Sequence, residues 1–431
     1  MYYGGGPRYI HADIHQINFK PNNYSAITVT SDGGIFYSNN SSASSQDIIF
    51  NERNKGYNTL QFYTCDISPI EYGNIYVGGL QDNGTLVSGD LNDNDGEFDI
   101  MDMISGGDGA YCFFDDNDPL LITSTYYNYY FLFNMEDNSY AYANGNSGVF
   151  INPSDYDSNN NILYANKVRF NGNHANKIVK IENINPNNLD ADNINFSTIN
   201  LGTNYSVYFS SLKLSPYSNT LYIGNQSGRF FKVISPNTNP STYEIGSSYF
   251  PTANISSIDI GENDDEILVT FSNYGVSSIW FSENGGENWS EKEGNLPDMP
   301  VRWGILHNQD TNYSLIATEI GIWETNNFLS ENVNWYPSNN GIGNVRVDML
   351  SLRDEDNLLL AASHGRGLFH TYYNIDLIGD INNDNALDVL DIVLLVNIIL
   401  INEFNVYGDI NQDGQLNVLD IVLLVNLILD S

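Results

Sequence analysis

Residues 220–233 read TLYIGNQSGRFFKV, a short apolar run, a turn built from Gly, Asn, Gln and Ser, and a second apolar run. β-Branched and aromatic residues alternate within each arm, whereas an amphipathic helix would repeat its apolar residues every three or four positions. The stretch therefore predicts two antiparallel strands joined by a tight turn. The same pattern recurs as AITVTSDGGIFYS from Ala26, NIYVGGLQDNGTLVS from Asn74, LLITSTYYNYYFLF from Leu120 and ILYANKVRF from Ile162. It returns as EILVTFSNYGVSSIWFS from Glu266, SLIATEIGIWET from Ser314 and LLLAASHGRGLFHT from Leu358. Successive starts lie 48, 46, 42, 58, 46, 48 and 44 residues apart.

That period is proper to four-stranded propeller blades. The expected fold class is mainly β: a β-propeller over residues 1–373 with eight blades, seven being the alternative count. The last unit, residues 347–373, has room for three strands. Tyr2, Tyr3 and residues 8–10 are the expected source of the missing edge, because an open ring leaves sheet edges exposed. Cys65 and Cys112 fall at similar places in successive repeats and read as small buried hydrophobes rather than a disulfide.

After a linker at 374–378, residues 379–431 change character. Residues 380–391 read DINNDNALDVLD and residues 409–420 read DINQDGQLNVLD. A twelve-residue calcium loop takes ligands from positions 1, 3, 5, 7, 9 and 12, with a backbone carbonyl at 7 and a sharp turn at 6. Asp380, Asn382, Asp384, the carbonyl of Ala386, Asp388 and Asp391 fill those positions in the first loop. Asp409, Asn411, Asp413, the carbonyl of Gln415, Asn417 and Asp420 fill them in the second. Position 6 is Asn385 or Gly414, residues that tolerate a left-handed backbone. All side-chain ligands are hard oxygens, so the expected cofactor is two Ca²⁺ ions rather than zinc or copper. VLDIVLLVN follows unchanged at 389–397 and 418–426, and 17 of 22 residues are identical between the copies.

This duplicated loop and helix, with Asp rather than Glu at position 12, resembles a type I dockerin over residues 379–429. The resemblance implies a small all-α module that plugs into a cohesin-type scaffold protein. It assigns the partner surface to loop positions 10 and 11, here Val389, Leu390, Val418 and Leu419. Many members carry Ser/Thr and Lys/Arg at recognition positions where this chain has apolar residues, Asn397 and Asn426. The aliphatic run of the first helix is about ten residues, half the roughly twenty that a bilayer span needs, so no membrane span is expected.

With 53 acidic and 16 basic residues the net charge is −37, which makes nucleic acid and anionic lipid poor partners. MYYGGGPRY shows neither the basic start nor the apolar stretch of a secretion signal. A dockerin-like module works outside the cell, so the expectation is an extracellular or cell-surface protein, the chain being either a mature product or a fragment whose upstream part is missing.

SENGGENW at 282–289 resembles the Asp-box of sialidase-like BNR repeats, with Ser282, Asn284, Gly286 and Trp289 in register and Asn288 in place of the usual Thr. GGLQDNG at 78–84, GGDG at 106–109, EIGIWET at 319–325 and SHGRGLF at 363–369 are similar to stretches of sortilin-like and BNR-type propellers. The Asp-box implies a structural role: polar residues brace a turn and the Trp packs beneath it. None of the eight arginines stands in the sialidase Arg-Ile-Pro context, which argues against that activity. Propeller glycosidases use paired carboxylates, and Asp13, Asp32, Asp82 and Asp108 are expected near the central funnel, with Asp13, Asp82 and Asp108 the catalytic candidates. His11, Asp13 and His15 alternate along an expected strand. They form either a metal or acid–base cluster or, the preferred reading, a hydrogen-bonded polar lining. Tyr126, Tyr127, Tyr129 and Tyr130 are open between sugar stacking and packing between blades. Function is expected to be binding of polysaccharide, glycoconjugate or protein on a scaffold-borne propeller, with glycoside hydrolysis and a structural spacer as alternatives.

Overall fold

The computed structural model describes residues 7–45, 47–89, 101–169, 172–202, 208–374, 378–382, 387–401, 403–411 and 413–430. Two compact units divide the chain, Met1–Thr371 and Tyr372–Ser431. Among the described residues the first is all β apart from two single 3₁₀ turns, and the second holds two α-helices. No helix among the described residues is long and apolar enough to cross a membrane.

Eight antiparallel sheets make up the first unit, seven of four strands and one of three, each a simple meander in chain order. Every hairpin read from the sequence but the one at Ile162 supplies the second and third strands of one sheet. The second strands Leu120–Thr125, Ile162–Asn166, Thr220–Asn225, Ser314–Thr318 and Leu358–Ser363 are buried at every residue. A strand covered on both faces reads as a continuous apolar run rather than an alternation. One arm differs from expectation: after Ile162–Asn166 the pairing strand is Lys177–Glu182, and residues 167–169 form no strand. The last sheet has the expected three strands, Val347–Arg353, Leu358–Ser363 and Gly367–Tyr372.

First strands carry the contacts between sheets. Phe62–Ile67 of the second sheet packs on Gly109–Phe114 of the third, and so on through Ser154–Asp157, Phe209–Leu214, Ile255–Ile260, Val301–Leu306 and Val347–Arg353. Val347–Arg353 then packs back on Phe62–Ile67, so the eighth sheet meets the second. Polar side chains tie successive first strands together. Asp66 accepts the Phe114 N–H at 2.8 Å, Asp155 that of Leu214 at 2.5 Å and Asp259 that of Leu306 at 2.9 Å. Thr64, Ser210 and Ser256 hydroxyls donate to the carbonyls of Ala110, Ile255 and Val301. At the seam Ser351 Oγ donates to Asp66 Oδ1 at 3.1 Å, and Arg353 reaches the carbonyls of Ser68 and Gly73 at 2.9 Å.

The seam is held by residues 58–61, not by residues 8–10, which form no strand. The Gly365 N–H donates to Leu60 O and Gln61 bridges His364. Tyr2 and Tyr3 lie outside the described residues. The first sheet instead touches the turn of the second: His11 Nε2 lies 2.9 Å from Asp82 O, and Asn83 Nδ2 donates to Asp32 O at 3.3 Å. Its first strand, Ile14–Lys20, is exposed at every residue.

The SENGGENW turn is braced as its motif implies. Ser282 Oγ accepts the Gly286 N–H at 2.9 Å, Asn284 Oδ1 accepts that of Asn288 at 2.9 Å, and buried Trp289 donates to Gly286 O. Thr325, Asn327 and Trp335 repeat this bracing in the next sheet without the full sequence motif. Cys65 and Cys112 are buried free thiols.

Burial pushes Asp66 up to about 7 and Asp155 and Asp354 to about 6. An acid that holds its proton more tightly folded than unfolded loses stability as pH rises, here from its unfolded value near 4 towards its folded value. Asp66→Asn keeps an oxygen for the Phe114 N–H and removes the charge. We expect it to be more stable than the parent near pH 7.5 and to lose that advantage near pH 5, a swing on the order of 2 kcal/mol. Urea melts of both proteins in saturating calcium read this directly; a constant difference would mean that Asp66 stays ionised and well solvated.

Candidate functional site

Two places gather chemistry-bearing residues. The first is the C-terminal unit. Residues 372–431 carry ten Asp or Glu side chains and no Lys, Arg or His. Asp391 and Asp420 are fully buried, and Asp380 and Asp409 nearly so. Burying carboxylates in a segment without a basic side chain is costly unless a cation or hydrogen bonds compensate.

Each position-12 acid organises its loop in the same way. Asp391 Oδ1 accepts the Ile381 and Asn382 N–H groups and Oδ2 that of Asp388, while Asp420 Oδ1 accepts from Ile410 and Oδ2 from Asn417. Asp388 caps the helix α1, Val389–Leu400, by accepting the Leu390 N–H, and Asn417 does the same through Leu419 for α2, Val418–Asp430. In the second loop Asp409 accepts from Asp413 and Gly414, and Asp413 from Gln415. Gly414 has φ +78, a left-handed backbone that glycine takes freely. Asp384 and Ala386 lie outside the described residues. The described loop acids thus face backbone N–H groups of their own loops.

The two halves interlock reciprocally. A Cβ on Gly379 would come within 2.6 Å of Leu424, and one on Gly408 within 2.7 Å of Leu395. Leu395 and Leu424 are the fully buried leucines of α1 and α2. Left outside are Val389, Leu390 and Val393 on one helix and Val418, Leu419 and Val422 on the other, all at least half exposed.

The second place is where the first two sheets meet. Asp13, Asp32 and Asp82 bring carboxylate oxygens within 4.8 Å of one another. Asp13 and Asp82 sit in turns at φ +56 and +60. His15 Nε2 contacts Asp32 Oδ1, and His11 reaches the Asp82 carbonyl. The expected alternation of His11, Asp13 and His15 along one strand does not occur, because the strand begins only at Ile14 and the left-handed Asp13 turns the chain before it. Burial raises the Asp82 pKa and the Asp32 and Asp13 charges add to the rise, with His11 opposing. Asp108 is raised by burial and by Asp82, whose backbone N–H its carboxylate accepts. Of the acids singled out in the sequence, Asp13 and Asp82 are neighbours within that trio, and Asp108 meets Asp82. The trio's separation is shorter than the ~6.5–9.5 Å that leaves room for water in an inverting glycosidase.

The arginines are engaged elsewhere. Arg229 pairs with Glu244, Arg302 with Glu319, Arg346 with Asp348 and Arg353 with Asp356. Guanidinium groups already neutralised by their own carboxylates are poor grips for a substrate carboxylate. Of the Tyr cluster, Tyr130 is core and hydrogen-bonds Asn128, Tyr129 stacks on Tyr142, and Tyr126 and Tyr127 sit at a turn with Phe150. Phe150 was not legible as a site residue, since it stands in an irregular segment with no motif around it.

Asp82→Asn suits a left-handed backbone and removes one of the repelling charges. We expect a gain of roughly 0.5 kcal/mol near neutral pH, the scale of exposed charge pairs, that vanishes near pH 4. A chemical melt in chelator measures it; a loss of stability would show that the acid makes a favourable contact instead. No family model matches the sequence, and no curated protein matches it.

Proposed function

We infer that this chain is an extracellular β-propeller carried on a calcium-dependent, dockerin-like module that joins it to a cohesin-bearing scaffold. Its propeller serves polysaccharide or glycoconjugate binding. The observation that carries the reading is the C-terminal duplication: two matching acidic loops with equivalent internal bonding, reciprocal glycine–leucine packing and no basic residue in the unit. Calcium supplies the neutralising charge. Asp380, Asn382, Asp384, Ala386, Asp388 and Asp391 would hold one ion, and Asp409, Asn411, Asp413, Gln415, Asn417 and Asp420 the other. For the first unit, the packing of the eighth sheet on the second supports a seven-bladed ring with the first sheet as an appendage. Binding is preferred over catalysis because the acids near the first two sheets stand too close together for an inverting pair. Hydrolysis through Asp13, Asp82 and Asp108 is the second reading, favoured by the closeness of Asp13 to Asp82 and of Asp82 to Asp108.

Calorimetry on the full chain should find two calcium ions, and Asp391→Ala with Asp420→Ala should abolish uptake and lower the cooperativity of α-helix melting. Absence of calcium binding by the parent would remove the reading.

The identical VLDIVLLVN surfaces support docking in two orientations related by a half turn. Truncating Val389 and Leu390 to Ala should then cost little affinity for a matching cohesin, as should truncating Val418 and Leu419. Truncating all four should cost several kcal/mol, at roughly 1–2 kcal/mol per aliphatic side chain. Titration of the three variants decides it, since a large loss from one pair alone would mean a single fixed orientation.

A further inference from the structure

The middle turn of the third sheet puts an unusual residue in a hairpin turn. Strand Leu120–Thr125 pairs with Tyr129–Asn134, and between them Tyr127 and Asn128 both take positive φ, +62 and +58. Asn suits that backbone; a tyrosine is strained there, and Gly or Asn is the usual occupant. Strain held in an exposed residue is a reason to look for a role.

Asn128 fixes the turn from below. It is fully buried, donates to Asn166 O at 2.8 Å and Ser147 Oγ at 3.1 Å, and accepts from Tyr130 Oη at 2.9 Å and Asn152 Nδ2 at 2.5 Å. The Tyr127 N–H donates to Val149 O, which brings in the next segment. Above this anchor Phe150 stacks on Tyr126, centroids 5.7 Å apart and planes 5° from parallel, and meets Tyr127 edge-on at 6.0 Å. Tyr127 is 43% exposed and Phe150 44%. These rings are held in place by one another and left partly open.

The ground beside them is polar. A Cβ on Gly107 would stand 3.3 Å from the Tyr126 ring and 3.2 Å from Thr125 Oγ1, so the glycine lets the ring lie close to the backbone. Thr125 Oγ1 is buried and has no partner among the described residues. Next to Gly107 in the chain is Asp108, the neighbour of Asp82.

We propose that Tyr126, Tyr127 and Phe150 form a platform that stacks the C–H face of a pyranose ring of a neutral polysaccharide, with Asp108 accepting hydroxyl protons of the same chain. This rests on the carbohydrate reading of the first unit and gives it a location. Apolar ring faces suit the aromatic surface, and a carboxylate acceptor suits a ligand rich in hydroxyl donors. Acidic sugars are excluded by Asp108, Asp82, Asp32 and Asp13 in a chain of net charge −37. A proline-rich peptide also docks on aromatic grooves but offers the carboxylate few donors.

The test is calorimetric titration of the full chain in calcium with neutral hexaoses of glucose, xylose and mannose, with polygalacturonate and with a proline-rich peptide. Tyr127→Gly and Phe150→Ala are titrated beside the parent. The parent should bind a neutral glycan and not polygalacturonate. Each variant should lose affinity by about tenfold, the scale of one stacked aromatic contact. Tyr127→Gly should keep or raise its melting temperature, because glycine takes the left-handed backbone freely; a tyrosine that served packing alone would show lower melting and unchanged binding. Neutral-glycan binding undiminished in both variants overturns the platform and leaves the carbohydrate reading standing. A parent that binds no glycan, or only the peptide, overturns both, and calcium uptake by the C-terminal loops is scored separately.

Discussion

A sheet buried on both faces cannot stand alone, and that constraint governs the first unit. The second strands of most sheets have no residue facing water, so each of those sheets must be sandwiched between two others, unlike the first sheet with its exposed strand. Only the arrangement in which the last sheet returns to an earlier one covers both terminal faces. Polar residues of the first strands complete the junctions, since Asp66, Asp155 and Asp259 each take a backbone N–H of the next sheet that would otherwise be unpaired. Asp66 serves twice, toward Phe114 and toward Ser351. One carboxylate thus links an ordinary junction to the seam, and its raised pKa is the electrostatic consequence of being placed there.

The acidity of the chain has different meanings in its two units. In the first, four of the eight arginines pair with local acids away from Asp32 and Asp82, and the acids there crowd one another instead. That field disfavours anionic ligands and agrees with a hydroxyl-rich, uncharged one. In the second, the absence of any basic residue makes the buried loop acids dependent on backbone N–H groups and, in the proposed holo form, on calcium. Internal duplication then makes the second unit nearly two-fold symmetric, because Gly379 against Leu424 and Gly408 against Leu395 are the same contact made from opposite sides.

How far these features were legible follows from how local their causes are. The eight hairpins were readable because their arms are long apolar runs and their turns carry Gly, Asn or Asp. The fourth strands were not: Asn51–Glu52, Ser290–Glu291 and Tyr336–Pro337 are two residues long and exposed, too short for any periodicity. Lys177–Glu182 was displaced from its expected place by an insertion after Asn166 that a regular repeat does not announce. The two helix starts were readable, since an N-cap is decided within a few residues.

By itself the sequence determined the local elements: hairpins, their number, the paired loops, the two helices and the braced SENGGENW turn. The tertiary structure decided which of them meet. Ser351 and Asp66 are 285 residues apart in the chain, yet they form the seam. Asp82 joins Asp13 and Asp32 only because the second sheet's turn lies against the first sheet. Tyr127 and Tyr130 look alike in sequence, but one ring is open and the other is core. Local hydrogen bonding and burial patterns are written in neighbouring residues, whereas long-range adjacency depends on which faces remain uncovered once every local element has formed.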